Sequence, residues 1–409
     1  MARPIIIQKY GGSSVANPQR IRGVARRVLA TQRRGFDVVV VVSALGDATD
    51  DLLALAEEVT RNPSERELDM LMATGEQVSV ALLAMAIQDL GGRAISFTGA
   101  QVGILTDGAH TKARIVTISP QRIVEELAQR SIVIVAGFQG MNPRQEITTL
   151  GRGGSDLTAV ALAKALQAVR CEIYTDVNGV FTADPRIVPQ ARKLRRISYD
   201  AMLELASVGS QVLQARAVFV AKKYNIPMHV RSSFHKEAGT MIMKADQAME
   251  ELLVTGVAVN KHEAKITIQE VPDRPGIAAK IFKRLAEGEI NVDMIVQNVS
   301  HTTRRTDISF TVLSSDLSKT LRITRAVARH VRCGPVSTDE GIAKISVVGL
   351  GMRSHSGVAA QMFEALARRG INIEMISTSE IKISCIVRKA HAARAVRALH
   401  RQFHLDRVR

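Results

Sequence analysis

Two glycine-rich segments carry side chains suited to handling phosphate. Lys9, Gly11 and Gly12 directly follow the apolar run Ile5-Ile6-Ile7. Glycines at the end of a strand let backbone N–H groups approach an anion, and a nearby lysine can neutralise charge on a transferred phosphoryl group. The spacing differs from the GxxxxGK[ST] pattern of a Walker A motif. The segment therefore indicates a phosphate site of another kind.

The second segment, 151–156, reads Gly-Arg-Gly-Gly-Ser-Asp and opens a helical pattern over 157–166. Ser155 could cap this helix or bind a ligand, and Asp156 lies in its first turn. An ordinary capped turn explains those two residues equally well. Arg152 is more informative, because a guanidinium between glycines presents a planar fork suited to a carboxylate.

Three further polar segments, 43–50, 73–77 and 174–186, lie at strand ends or helix starts. Strand ends in open parallel sheets face the ligand crevice, so Asp176 could hold a ribose or an amino group and Arg186 could reach a phosphate. Thr49 as a helix cap and Glu76 as a first-turn acid also have purely local explanations.

The elements that position these segments alternate through the first 245 or so residues. Short apolar runs at 5–7, 38–42, 132–135 and 171–174 are separated by helical patterns such as 50–59 and 75–90. Runs that are apolar throughout indicate strands buried on both faces, and alternation with helices indicates a parallel sheet with helical crossovers. This part is predicted to be an α/β domain.

The C-terminal part contains an internal repeat. Gly276 matches Gly357 and Asn291 matches Asn372, both at an offset of 81 residues. Each copy is expected to contain a strand, a glycine turn, a helix and further strands, with one element still to be placed. A strand pattern at 253–259 lies before the first copy and is a candidate to complete the second.

Composition narrows the class of protein. The 409 residues include 55 Lys plus Arg and 39 Asp plus Glu, so the formal net charge is 55 − 39 = +16. The basic residues are dispersed and aromatic residues are 3%, which argues against a nucleic-acid binder without eliminating it. Three cysteines without CxxC spacing argue against a disulfide scaffold and favour a reducing, cytoplasmic setting. Uninterrupted apolar runs fall short of the ~18 residues that span a bilayer, so we expect no membrane partner.

Taken in order, the motifs at 9–14, 43–46, 74–76, 137–140, 150–156 and 174–186, with the repeat, resemble the bacterial aspartate kinases of the amino-acid kinase family. Members carry two C-terminal ACT domains, and the resemblance covers essentially the whole chain. It implies a carbamate-kinase-like, three-layer αβα domain over 1–245 and a linker with a strand over 246–263. Two ferredoxin-like α+β ACT domains would follow over 264–335 and 336–409, the second completed by strand 253–259.

The resemblance implies MgATP-dependent phosphorylation of the L-aspartate side-chain carboxylate, the first step of lysine, threonine and methionine biosynthesis. Lys9 and Asp156 would be catalytic. ATP would contact Lys9, Gly11, Gly12, Ser43, Ser155, Thr175, Asp176, Phe181, Arg186 and Gln211. Aspartate would contact Asp47, Thr49, Glu76, Arg152, Gly153, Gly154 and Ser155. Family members often have Lys at the position of Gln211, and no dedicated protein metal site is expected.

The ACT pair implies feedback by lysine, threonine or both. The implied effector residues are Asp273, Asn291, Asp293, Gln297, Asn372, Ile373 and Ser379. Asp and Asn are also common in turns for local reasons. The same resemblance implies a homo-oligomer formed through the ACT domains. Met249 could alternatively start a separate regulatory chain in an α2β2 assembly.

Besides the nucleic-acid binder, two other functions stay open at this stage. One is a kinase of the same family that acts on glutamate or a nucleotide. The other is a sensor without catalytic activity that binds amino acids through its ACT repeat. The Thr74-Gly75-Glu76 segment argues against the first, and the presence of Lys9, Arg152 and Asp156 argues against the second.

Overall fold

A computed structural model describes residues 3–208, 212–298, 304–353 and 355–407. The chain forms two compact units. The first contains most of the chain up to Met249, and the second contains the chain from Glu250 onward together with Thr182–Arg192. The range 1–245 that was expected to form the catalytic domain therefore includes one segment that packs within the second unit.

The first unit is built on an eight-stranded sheet and a smaller four-stranded sheet. Its strands are β1 Ile5–Tyr10, β2 Asp37–Val42, β3 Ala94–Phe97, β4 Ile104–Thr106, β5 Ile115–Ile118, β6 Ile132–Ala136, β7 Gln139–Met141, β8 Ile147–Thr149, β9 Arg170–Thr175, β10 Arg196–Ser198, β11 Met228–Ser232 and β12 Thr240–Met243. The large sheet has the order β10-β12-β11-β9-β1-β2-β6-β3, and the small one β5-β4-β7-β8. Strands β11, β9, β1, β2, β6 and β3 run parallel, as the alternating pattern predicts.

Helices cover both faces of the large sheet. They are α1 Gly12–Val15, α2 Pro18–Arg33, α3 Ala48–Val59, α4 Glu65–Asp89, α5 Gln121–Ala128, α6 Gly154–Ala165, α7 Tyr199–Ser207 and α8 Ala215–Tyr224, followed by the short α9 Gln247–Glu250. Helices α2 and α4 pack against one face in a common apolar core, and α6 packs against the other. Because side chains alternate along a strand, Gln8 points toward α2 whereas Lys9 points toward α6.

Helix α4 is the longest helix of the described residues, with 25 residues. By length and composition it could cross a membrane, although the sequence shows no long uninterrupted apolar run. Half of its most apolar stretch is buried inside the protein, which is the behaviour of a core helix.

The second unit contains two antiparallel sheets with two helices each. Its strands are β13 Gly256–Asn260, β14 Glu263–Pro272, β15 Ile295–Gln297, β16 Arg305–Leu313, β17 Val336–Asp339, β18 Ile342–Val348, β19 Met375–Thr378 and β20 Lys382–Arg388. Its helices are α10 Ile277–Glu287, α11 Leu317–His330, α12 Val358–Ala367 and α13 Ala392–Gln402. The sheet orders are β15-β16-β14-β17 in the first repeat and β13-β18-β20-β19 in the second.

The repeat has the same turn chemistry in both copies. Gly276 and Gly357 precede α10 and α12 with φ of +88° and +92°, a left-handed conformation that favours glycine. Strand β13 lies before the first copy but pairs with β18 of the second. The first copy obtains its own fourth strand from β17, which pairs with β14.

The Thr182–Arg192 segment packs on the second repeat. Ala183 and Val188 belong to its apolar core. The Thr182 carbonyl accepts a hydrogen bond from the Val257 N–H at 2.8 Å, and the Thr182 hydroxyl lies 3.0 Å from Nε2 of His400. This segment is thus held by both backbone and side-chain contacts within the second unit.

Candidate active site

The carboxyl ends of three neighbouring strands lie at one edge of the large sheet. Tyr10 is in register with Val42 of β2 and with Tyr174 of β9. Gly11, Ser43 and Thr175 each follow these residues directly. Gly11, Ser43 and Thr175, which were predicted to contact ATP, therefore lie at the same edge of the sheet although they are distant in sequence.

Lys9 and Asp156 form an ion pair at this edge. The Lys9 Nζ lies 2.7 Å from Asp156 Oδ1, and the two side chains are only 12% and 9% exposed. Lys9 comes from β1 and Asp156 from the first turn of α6. The carboxylate therefore fixes the direction of the ammonium group from a separate element.

Gly12 lies in a close approach that excludes a side chain. A Cβ at this position would be 2.6 Å from the Gly46 carbonyl oxygen and 2.9 Å from that of Ala44. The Gly46 N–H in turn donates to the Gly12 carbonyl at 3.1 Å. The turn after β1 is thus packed backbone to backbone against the turn after β2. At Gly11 a Cβ would come within 3.6 Å of the Lys9 Nζ.

Ser43 and Ser155 link the strand ends to α6. The Ser43 hydroxyl donates to the Ser155 hydroxyl at 3.0 Å. Gly137, which follows β6, lies against the same serine, because a Cβ there would be 2.8 Å from the Ser155 Cβ. Two residues predicted to contact ATP are therefore in direct contact with each other.

Glu76 is buried on α4 beneath this edge. Its Oε1 accepts a hydrogen bond from the Ala44 N–H at 3.2 Å, whereas its Oε2 is buried without a hydrogen-bond partner. Burial raises the pKa of this carboxyl to about 7, partly opposed by that hydrogen bond and by the Lys9 charge. A buried carboxylate oxygen without a donor is suited to a cationic ligand group.

Arg152 has an exposed side chain on a well-anchored backbone. Its guanidinium is 93% exposed and lies 3.5 Å from Asp50, in the first turn of α3. Its carbonyl accepts a hydrogen bond from Gln214 Nε2 at 2.7 Å, and the Gln214 N–H lies 3.4 Å from Asp156 Oδ2. Sequence analysis missed Gln214, because no local pattern marks a contact with residues 58 and 62 positions away.

The remaining predicted substrate residues lie at the starts of α3 and α6. Asp47 immediately precedes α3 and Thr49 lies in its first turn, next to Asp50. Gly153 and Gly154 form the turn into α6. Asp50 thus joins the start of α3 to the Arg152 loop.

The other predicted nucleotide residues lie along the segment at and after the end of β9. The Thr175 hydroxyl donates to Asp176 at 3.0 Å beyond the end of β9, and Phe181 forms an isolated bridge with Lys193. Arg186 belongs to the second unit, where its guanidinium binds Asp184 at 2.9 Å. Gln211 lies outside the described residues.

The composition of this edge suits an anionic ligand such as a nucleotide phosphate. Lys9, the glycine turn and the start of α6 provide cationic and N–H donors. Among the described residues, no three His, Cys, Asp or Glu side chains are grouped as metal ligands.

Comparison with known proteins decides the family. The amino acid kinase family model matches residues 4–232, and an ACT domain model matches residues 269–326 and 345–403. An aspartokinase from Pseudomonas aeruginosa is 52% identical over 404 residues, covering 98% of this chain and 98% of that protein. The chain belongs to the aspartokinase family.

Solved aspartokinases share the fold. E. coli aspartokinase III in complex with aspartate and ADP is 26% identical, with a TM-score of 0.82 over 97% of this chain and 99% of that one. The same enzyme in complex with lysine and aspartate has a TM-score of 0.75 over 98% and 99% of the two chains. The expected fold, an amino-acid kinase domain followed by two ACT domains, is confirmed.

In this aspartokinase, each ACT repeat contains a cavity at the glycine turn. The first, of about 350 Å³, is lined in part by Asp273, Gly276 and Gln297. The second, of about 460 Å³, is lined in part by Gly357 and Ser379. The cavities occupy equivalent positions in the two repeats. Three of the predicted effector residues, Asp273, Gln297 and Ser379, line them.

The other predicted effector residues lie elsewhere. The Asp293 carboxylate pairs with Lys344, which also pairs with Glu263 at 2.5 Å. Lys265, the repeat equivalent of Lys344, pairs with Glu374 at 2.5 Å. Equivalent lysines, Lys265 and Lys344, thus each form an ion pair with a carboxylate of the other repeat, and Asp293 is one of these carboxylates. Asn291 and Asn372 are exposed, and Ile373 packs against the core of the second repeat.

Proposed function

We propose that this aspartokinase transfers the γ-phosphoryl group of MgATP to the side-chain carboxylate of L-aspartate, giving 4-phospho-L-aspartate and ADP. The observation that carries the proposal is the Lys9–Asp156 pair beside the glycine turn, with the buried Glu76 beneath it. These residues supply a cationic group for phosphate and an anionic group for an amino acid at one sheet edge.

The nucleophile needs no general base. An aspartate side chain with a pKa near 4 is ionised at neutral pH, so its oxygen can attack the γ-phosphorus as the bond to ADP breaks. The difficulty is that both reactants are anions. Lys9 would offset the negative charge on the transferring phosphoryl oxygens, and Asp156 would keep its ammonium directed at them.

Mg²⁺, when bound with ATP, would supply positive charge that reduces the repulsion between the phosphates and the attacking carboxylate. In the turn formed by Gly11 and Gly12, the Gly12 N–H would donate to the phosphates, because the Gly11 N–H already donates to the Tyr174 carbonyl at 3.2 Å. The Ser43 hydroxyl donates to Ser155, so the Ser155 hydroxyl would donate onward to a phosphate oxygen. Thr175 and Asp176 would contact the nucleoside part.

Aspartate would be oriented by its α-substituents. Arg152 would bind the α-carboxylate through its planar fork, and Glu76 would accept the α-ammonium group. An ammonium ion beside Glu76 Oε2 would satisfy an oxygen that is buried without a donor. This arrangement leaves the side-chain carboxylate directed toward Lys9.

The direct test is a coupled ADP-release assay of the purified protein with MgATP and candidate acceptors. We expect turnover with L-aspartate and at most trace turnover with L-glutamate or nucleoside monophosphates. Turnover with another acceptor but not with aspartate would replace the proposed substrate. Absence of ATP turnover with every acceptor would favour the amino-acid sensor.

We also propose that lysine and threonine inhibit through the two ACT cavities. Millimolar lysine plus threonine should lower the aspartate-dependent rate, because effectors that bind one conformational state better shift the population toward it. Asp273→Ala, in the first cavity, should raise the effector concentration needed for half-inhibition about tenfold or more, the effect of losing about one hydrogen bond to a charged effector group. The rate without effector should stay near wild type.

Glu287→Ala is the matched control for the effector experiment, because it removes an acidic side chain from the exposed end of α10 in the same repeat. It should leave inhibition unchanged. An uninhibited wild-type enzyme would exclude feedback by these two amino acids. Equal loss of inhibition in both variants would exclude a specific role for Asp273.

A cytoplasmic homo-oligomer assembled through the ACT domains is the assembly we expect. An internal start at Met249 would instead give an α2β2 complex with a separate regulatory chain. In the described structure Met249 is a buried residue of α9. Expression of the gene with and without Met249→Leu, followed by immunoblotting of the C-terminus, distinguishes one product from two.

A further inference from the structure

Asp69 is a fully buried carboxylate that the proposed reaction does not use. It lies on α4, two helical turns before Glu76, and has no exposed surface. A buried carboxylate of this kind is strongly destabilising unless donors surround it. The donors that Asp69 receives come from two loops rather than from its own helix.

One of these loops is 107–114. Asp69 accepts hydrogen bonds from the Thr111 N–H at 3.0 Å and lies 2.8 Å from His110 Nδ1. The other loop begins at the end of β8, where the Thr149 hydroxyl donates to Asp69 Oδ1 at 2.5 Å. The loops are also joined directly, because the Ala113 N–H donates to the Thr149 carbonyl at 2.8 Å.

The Thr149 anchor lies three residues before Arg152. At the next residue, the Leu150 carbonyl accepts a hydrogen bond from Arg216 Nη1 at 2.9 Å, and Gln214 holds the Arg152 carbonyl. The Arg152 backbone is therefore tied to α4 through Asp69 and to α8 through Arg216 and Gln214. Because its guanidinium is 93% exposed, packing of the side chain cannot set its position. Apart from the 3.5 Å ion pair with the exposed Asp50, only the backbone anchors can do so.

We propose that Asp69 is a positioning residue for the aspartate substrate, acting through Thr149 to hold the loop that presents Arg152. The inference rests on the proposed function, in which Arg152 binds the α-carboxylate. Helix α4 then contributes two residues to aspartate binding. Glu76 faces the α-ammonium group, and Asp69 anchors the loop that carries Arg152. Loosening the Thr149 anchor should weaken aspartate binding while leaving the nucleotide side intact.

The test compares Thr149→Val with Thr149→Ser. The valine variant keeps the shape of the side chain and removes the donor to Asp69, whereas the serine variant keeps the hydroxyl. We expect Thr149→Val to raise the KM for aspartate about tenfold, the effect of a net loss of about one hydrogen bond to a charged group. The KM for ATP should change less than twofold. Thr149→Ser should remain near wild type, and Asp69→Asn should follow the valine variant.

Thr148→Val is the matched control. Thr148 is equally buried on the same strand, but its hydroxyl pairs with Thr106 at 2.6 Å and not with Asp69. It should lower the melting temperature as Thr149→Val does without changing the KM for aspartate. If Thr148→Val and Thr149→Val raised the aspartate KM to a similar extent, the rise would reflect lost stability alone, and the proposal would be overturned.

The proposal would also be overturned if Thr149→Val raised the KM values for ATP and aspartate equally, or changed neither. Failure of the proposed function has a different signature, namely a wild-type protein without aspartate-dependent ADP release. If Asp69→Asn does not fold, the two Thr149 variants and the Thr148 control still decide the question.

Discussion

Replacing Lys9 by alanine is expected to lower kcat about 100-fold or more, the scale of losing one preorganised group that stabilises transition-state charge. The Lys9 side chain is only 12% exposed, and its ammonium group is paired with Asp156 at 2.7 Å beside the glycine turn. Charge interactions in such a partly desolvated site are far stronger than in water. The KM for aspartate should change much less than kcat, because Lys9 acts on the transferring group.

The single variant leaves Asp156 partly buried without its cation, which is itself destabilising. The double variant Lys9→Ala/Asp156→Asn removes both charges and should recover thermal stability without recovering activity. Circular dichroism melting curves and initial rates at saturating MgATP and aspartate separate the two effects. A folded Lys9→Ala enzyme with kcat near wild type would remove Lys9 from the reaction.

Much of the architecture could be anticipated because its signals are local. Buried valine runs such as 38–42 predict parallel strands, and parallel strands place their carboxyl ends together. The pairing of Lys9 with Asp156, 147 residues apart in sequence, was implied instead by the resemblance to the aspartate kinases, because Asp156 lies at the start of a helix and not at the end of a strand. The repeat at an offset of 81 residues likewise indicated two related domains, each with a glycine turn.

The contacts that could not be anticipated join residues without a shared local pattern. Asp69 looks like an ordinary residue of the first turns of α4, and its role depends on donors 42 and 80 positions away. Asp293 was implied as an effector residue, and no local pattern indicated that Lys344 of the other repeat pairs with it. Arg186 follows the nucleotide loop in sequence but belongs to the second unit. Contacts between residues that are distant in sequence are invisible to periodicity.

Replacing Glu76 by glutamine is expected to raise the KM for aspartate about 100-fold, the lower end of the 3–5 kcal/mol associated with breaking a buried charged pair. The variant keeps the size of the side chain and an oxygen that can accept from the Ala44 N–H. What it loses is the negative charge proposed to face the α-ammonium group. The KM for ATP should be unaffected, because the phosphate groups face Lys9 and not Glu76.

The pH dependence of kcat/KM for aspartate tests whether the Glu76 charge is what binds the substrate. The pKa of Glu76 is raised to about 7 by burial, so in the free wild-type enzyme protonation neutralises it as the pH falls through about 7. The value of kcat/KM for aspartate should then fall about tenfold per pH unit below that point, since this ratio reports the ionisation of the free enzyme. In Glu76→Gln the profile should be flat and low between pH 6 and 8.

The same shift has a consequence for stability with a definite sign. A carboxyl whose folded pKa of about 7 lies above its ordinary value of 4.5 favours the folded state below pH 4.5. This contribution, about 3 kcal/mol for a shift of that size, is lost as the pH rises through 7. Without substrate, the melting temperature of Glu76→Gln should therefore be higher than that of wild type at each pH between 5 and 8. Saturating aspartate should reverse that order at pH 8, because only the wild-type carboxylate can pair with the ammonium group. A wild-type profile without a transition near pH 7, together with an unchanged aspartate KM in Glu76→Gln, would exclude Glu76 from the aspartate site.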